Sequence, residues 1–211
     1  MVRLTSVNVG TASRLGDTLT GICKESQSGP IKINTLGLEG DAVCDVKFHG
    51  GPDQAIYVYG GDDYAYWENS QGLDLAPGAF GDNLTISNLS SLSVYVGDRF
   101  QINDVLLEAT APRIPCATLG KRMDDPKFPA VFRKAQRSGF YCRVLEPGTF
   151  EGGDLVTYTR TTDAKPLSIL EMFELYYDPT PSRERLKHAL NAPIAIRDRE
   201  RFITRLEKTD A

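Results

Sequence analysis

The stretch VLLEATAPRIPC, residues 105–116, decides how the rest of this chain is read. Val105 to Thr110 is a strongly apolar run of the kind that fills a buried strand, and it leads straight into two prolines, Pro112 and Pro115, that flank Arg113 and Ile114. Proline fixes its own φ and biases the residue before it toward extended backbone, so Ala111 and Ile114 are held out of the helical region. Cys116 is therefore presented on stiff backbone just past a strand end, with little entropy left to lose when its thiol takes a partner. Two readings of it follow from the residues: a small buried hydrophobe, the common fate of a free cysteine, or a thiolate ligand or nucleophile. In the second case its pKa would be lowered by Arg113, by a metal, or by Lys121 and Arg122.

Working outward, the first two-thirds of the chain repeats one texture. Short β-branched or aromatic runs are separated about every ten residues by Gly, Pro, Asn and Asp. This predicts strands at Arg3 to Val9, Thr18 to Lys24, Pro30 to Asn34, Ala55 to Tyr59, Asn83 to Ile86, Arg99 to Ile102, Val105 to Thr110, Gly139 to Leu145 and Asp154 to Thr159. The fold class is mainly β, a barrel or sandwich. Two helices interrupt it: Asp62 to Asn69, with acidic residues in its first turn, and Pro129 to Gln136, where Phe128, Val131, Phe132 and Ala135 share a face.

After the polar connector Thr159 to Pro166 the strand signal stops, so the chain divides into residues 1–160 and a helical unit at 161–211. Ser168 and Glu171 form a capping-box pattern ahead of Leu170, Phe173 and Tyr177. The run from Asp178 to Pro181 stops that helix. Ser182 caps a second helix, and Asp198 a third that carries Phe202, Ile203 and Leu206. Helices this short pack together or against the strands.

A chain of 211 residues, 41% hydrophobic, has room for one substantial core and a small second unit. A net charge of -4 with no basic run gives no footprint for nucleic acid or an anionic membrane. Residues 1–10 alternate polar with apolar and lack a signal-peptide stretch, so a cytoplasmic protein is expected. The four cysteines show no CxxC pair, neither a zinc ribbon nor a disulfide framework.

A second constellation is GLEGD at 37–41 followed by DVKFHGGPDQ at 45–54. His49 with two glycines after it either approaches a bulky ligand closely or sits on a plain hairpin. With only one other histidine, His188, a multi-histidine zinc site is unavailable. No P-loop, GxGxxG or GxSxG motif is present. Gly78 to Leu84 and Val96 to Asp98 read as turns, and Tyr57, Tyr59, Tyr64, Tyr66 and Trp67 as core packing.

Taken in order, GICK at 21–24, GLEGD at 37–41, KFHGGPD at 47–53, FGDNL at 80–84, VGD at 96–98, PRIPC at 112–116 and GFYCRVL at 139–145 resemble the MOSC domain, specifically its YiiM-like branch associated with resistance to N-hydroxylaminopurines. The resemblance implies a MOSC-type, pyruvate kinase barrel-like β-barrel with accessory helices, followed by a three-helix C-terminal domain. It implies that the barrel binds molybdenum cofactor (molybdopterin), with Cys116 as the protein ligand to the metal. Lys24, Lys47, His49 and Arg113 are then candidates for cofactor or substrate contact, and His49, or a nearby carboxylate such as Asp53, for proton relay. The family also carries an association with pyridoxal phosphate. The implied activity is molybdenum-dependent reduction of small N-hydroxylated substrates to amines, fed by an external electron-donating reductase. The alternative is a non-catalytic carrier of the cofactor or of sulfur. The assembly is left open, with a homodimer as candidate. Relative to the family pattern, residues 25–29 are inserted, and Asp82 replaces a glutamate with a shorter carboxylate that can still cap the turn.

Overall fold

The computed structural model describes residues 1–46 and 49–208. Its strands are β1 (Leu4–Val9), β2 (Ser13–Leu15), β3 (Thr18–Thr20), β4 (Glu25–Ser26), β5 (Ile31–Asn34), β6 (Gly37–Leu38), β7 (Ile56–Gly60), β8 (Leu84–Ile86), β9 (Arg99–Ile102), β10 (Val105–Pro112), β11 (Phe140–Glu146), β12 (Gly148–Phe150) and β13 (Thr157–Thr159). Its helices are α1 (Gly61–Gln71), α2 (Ala117–Arg122), α3 (Phe128–Ala135), α4 (Ile169–Tyr177), α5 (Arg183–Asn191) and α6 (Ile196–Lys208).

Eight strands form one sheet in the order β13-β9-β10-β11-β7-β8-β1-β4, antiparallel except for the parallel pair β7 and β8. The predicted closed barrel is corrected here: the ladder has two ends. They approach each other, because Arg3 bridges to Leu155 and Leu4 exchanges backbone hydrogen bonds with Asp154 and Gly153. The Val156 amide also donates to the Val2 carbonyl at 3.1 Å, so the two ends meet through a short run of bonds rather than a full strand pair. The predicted strand over 18–24 also ends early. A Cβ on Gly21 would lie 1.9 Å from the Ala42 carbonyl oxygen, so backbone fills the space a continuing strand partner would need. The inserted residues supply β4, which pairs with β1 at the sheet edge.

β10 lies between β9 and β11 and is buried along most of its length, as its apolar run requires. One core joins the sheet to the C-terminal helices, with Leu107, Phe140, Ile169, Leu186 and Phe202 in the same buried cluster. A second, aromatic cluster joins α1 and α3 to β7 through Trp67, Phe80, Phe128, Phe132 and Tyr59. The aromatic residues of 57–67 read as packing residues belong here, while Val131 of the proposed helix face is exposed. The capping box at Ser168 and Glu171 and the Ser182 cap both form. The Asp198 cap does not: α6 starts at Ile196, whose amide donates to Asp53 Oδ2 at 2.9 Å, and Asp198 sits inside the first turn. Among the described residues no helix is long and apolar enough to cross a membrane.

Candidate functional site

Cys116 stands where β10 gives out. Pro112 makes the last pair of that strand, opposite Phe140, and four residues later Cys116 precedes α2 in extended conformation, φ −123 and ψ 173. It opens onto a cavity of about 180 Å³ whose walls also carry Lys24, Asp41, His49, Arg113 and Asn83. The structure thus brings Cys116, His49, Lys24 and Arg113 together, from segments far apart in the chain. Lys47 lies outside the described residues.

Lys24 is buried, its side chain 7% exposed, and its Nζ donates to Asp41 Oδ1 at 2.5 Å. The same oxygen accepts from the Gly10 amide at 2.8 Å, and Asp41 Oδ2 from Asn83 Nδ2 at 2.8 Å. Asn83 Oδ1 in turn accepts from the Tyr57 amide at 3.1 Å, so this polar wall is anchored on β7. Asp82 holds the turn beside it, accepting from Tyr64, Thr85 and the Gly78 amide.

Arg113 is almost fully buried, with its guanidinium 5.2 Å from the Tyr57 ring centre and 5.8 Å from that of Phe132. Burial alone would favour loss of its proton, but Tyr57, Tyr141 and Cys116 hold the charge and raise its pKa overall. Its Nη1 has no hydrogen-bond partner among the described residues. Unpaired buried donors are scarce in native folds, and a cationic one beside a cavity suits an anionic ligand.

Burial pushes the Cys116 thiol up, yet a hydrogen bond with His49, the Arg113 charge and the Leu119 backbone amide outweigh it and lower the pKa to about 6. The buried Cys142 is pushed the other way. In the metal-free protein, iodoacetamide labelling of Cys116 followed by peptide mass spectrometry should therefore rise with pH about a midpoint near 6 and level off above 7. Because a low-pKa thiolate is also a weaker nucleophile, the midpoint rather than the absolute rate is the diagnostic. A midpoint above 8 would contradict the assigned environment.

Asp53 does not join the cavity. Its Oδ1 accepts from Arg143 Nε at 2.9 Å and its Oδ2 from the first amide of α6, which leaves it a structural clamp and corrects its candidacy as a proton relay. Arg197 of α6 completes the clamp: Nη1 donates to Gln54 Oε1 at 2.9 Å, and Nη2 to the carbonyls of Val46 at 2.8 Å and His49 at 3.4 Å. Sequence reasoning missed Asp41, Asn83, Tyr141 and Arg197. Asp41 closes the GLEGD run and was within reach; nothing near Arg197 signals its role.

Among the described residues no cluster of three or more His, Cys, Asp or Glu side chains could hold a metal ion. Cys116 therefore suits a metal that arrives already coordinated. A soft thiolate donor and a buried guanidinium with one N–H group left unpaired among the described residues fit a pterin-bound metal carrying a phosphate.

The description "MOSC domain" matches residues 45–157. YflK of Bacillus subtilis and YiiM of Escherichia coli are each 34% identical over 134 residues, covering 64% and 61% of this chain. The matches span 61% and 59% of those proteins, so the chain covers about three fifths of their length. A Gibberella moniliformis protein named Reductase is 34% identical over 146 residues, 67% of this chain and 26% of that one. The crystal structure of YiiM from Geobacillus stearothermophilus, 28% identical, superposes with a TM-score of 0.82, covering 98% of this chain and all of that one. With more than half its length matched and its fold shared along nearly all of it, this chain belongs to the MOSC domain family.

Proposed function

We propose that the protein binds molybdenum cofactor in the Cys116 cavity and reduces N-hydroxylated compounds, N-hydroxylaminopurines and amidoximes among them, to amines. One observation carries this reading: a thiol lowered to about 6 shares its cavity with a buried guanidinium whose Nη1 has no hydrogen-bond partner among the described residues. Thiolate suits a thiophilic metal, and guanidinium suits phosphate. When bound, the cofactor supplies the two-electron step in which R–NHOH, two electrons and two protons give R–NH2 and water.

The chain's own residues do the rest. Cys116 holds the metal, and Arg113 with Lys24 receives the anionic end of the cofactor. Burial pushes the Tyr57 and Tyr141 phenols further above their usual range, so these two cavity residues stay uncharged beside Arg113. His49, hydrogen-bonded to the Cys116 thiol, orients it and stands ready to pass a proton. No flavin, haem or iron-sulfur motif is in the sequence, so a separate reductase delivers the electrons. The relative named Reductase supports the oxidoreductase class. In this reading residues 1–160 carry the cofactor, and 161–211 form a helical addition in a cytoplasmic protein.

The test is molybdenum and pterin content, and turnover of benzamidoxime with a chemical electron donor, in protein purified from cofactor-producing and cofactor-deficient hosts. Metal and turnover are expected only from the first. Metal without turnover would favour the carrier role, and absence of metal from both would overturn the reading.

A further inference from the structure

A second cavity, of about 320 Å³, adjoins the first and shares Cys116, His49, Gln54 and Tyr141 with it. Its remaining walls are different. Pro112, Ile114 and Pro115 of the motif loop form one, and Tyr176 of α4 with Arg197, Asp198 and Arg201 of α6 form the other. Cys116 and His49 therefore stand in the partition between two compartments, one bearing the buried Arg113 and Lys24, the other bearing the C-terminal helices.

We infer that the second cavity is the substrate compartment, and that it takes a planar, nitrogen-rich N-hydroxylated molecule with its N–H edge at Asp198 and its flat face against Tyr176. The inference rests on the proposed reduction for the kind of molecule, and on the cavity alone for the place. The volume falls in the range of small-molecule sites, about 300–1,000 Å³. The Arg201 guanidinium lies 3.9 Å from the Tyr176 ring centre and Tyr177 meets that ring edge-on at 5.1 Å, so the aromatic wall is held rigid from two directions. Pro112, Ile114 and Pro115 add stiff apolar surface to the same cavity, and the space they share with Tyr176 is the slot assigned to the flat molecule.

Asp198 supplies the polar contact. Burial raises its carboxyl to about 6 despite Arg201 and Arg197, so near neutrality it is mainly a carboxylate that accepts hydrogen bonds. An amidoxime or aminopurine edge presents N–H and O–H donors that such a group can accept. Arg197 is engaged elsewhere, on Gln54 and the carbonyls of Val46 and His49, which fixes this wall to the loop that carries His49. Bound in the slot, the N–O end of the molecule meets the partition where Cys116 and His49 stand.

The experiment compares two sets of variants of the full chain, reading benzamidoxime affinity by calorimetry and molybdenum content by mass spectrometry. Tyr176→Ala and Asp198→Leu are expected to weaken benzamidoxime binding at least about tenfold, the scale of one lost ring contact or charged hydrogen bond, with molybdenum content unchanged. Tyr176→Phe, which keeps the ring, should bind as wild type and shows that the site still folds. Lys24→Ala should do the reverse, lowering molybdenum while leaving affinity within about twofold, as expected when the altered site is not the ligand's own. Unchanged affinity in both Tyr176→Ala and Asp198→Leu, or affinity that follows molybdenum content across all variants, would overturn the inference. Should the protein carry no molybdenum from any host, the proposed function fails, and loss of affinity in Tyr176→Ala would still uphold the compartment.

Discussion

Alanine in place of Cys116 is expected to reduce bound molybdenum below about a tenth of the wild-type content while changing stability by less than about 1 kcal/mol, the usual effect of a change outside the core. The separation of the two effects follows from where the residue sits. Cys116 belongs to neither buried cluster, so its loss opens no cavity in either core. Removing its sulfur leaves Arg113 and His49 in place but takes away the soft donor, so under the proposed function a metal that Cys116 would hold should be lost with its cofactor. Elemental analysis beside a thermal unfolding curve checks both halves. Equal molybdenum in the two proteins would remove Cys116 from the ligand position.

Trp67→Ala should have the largest effect on stability, about 3–5 kcal/mol, in the range for deleting a large buried aromatic. Trp67 is 0% exposed, with its ring stacked on Phe132 at 5.8 Å and packed against Phe80 and Phe128 at 5.4 Å. Its indole N–H donates to the Tyr59 hydroxyl at 2.7 Å. Phe132, on which Trp67 stacks, also has the Arg113 guanidinium 5.8 Å from its ring centre, so a cavity at Trp67 should loosen the wall of the Cys116 site as well. Trp67→Phe keeps much of the volume and should cost clearly less, since Tyr59 retains its bond to the Arg137 carbonyl at 2.8 Å. As this is the sole tryptophan, urea unfolding must be followed by circular dichroism rather than fluorescence. A loss under 1 kcal/mol for Trp67→Ala would show that the cluster collapses to fill the space.

What the sequence made legible was local in origin. Apolar content and two prolines around Arg113 were enough to place a strand followed by a cysteine on stiff backbone, because each acts on its own backbone and immediate neighbours. The capping box at Ser168 and the packing role of Trp67 were legible for the same reason. The pairing of Lys24 with Asp41 was not, since it joins two irregular segments whose approach depends on Gly21 lying against Ala42. Asp53 was misread because a carboxylate beside a histidine resembles a relay, whereas its partners, Arg143 and Ile196, are 90 and 143 residues further along the chain. The ends of the sheet meet only through the short contact of residues 2–4 with 153–156, a detail that strand periodicity does not encode. Asp198 matched the chemistry of a helix cap, but the position was already filled from across the fold.

The clamp formed by Asp53 and Arg197 also orders events in time. It connects α6 to a loop between 143 and 151 residues earlier, so the His49 loop is fastened only once α6 has been made and has docked, and whatever the cavity receives meets a finished entrance only after that late, long-range step.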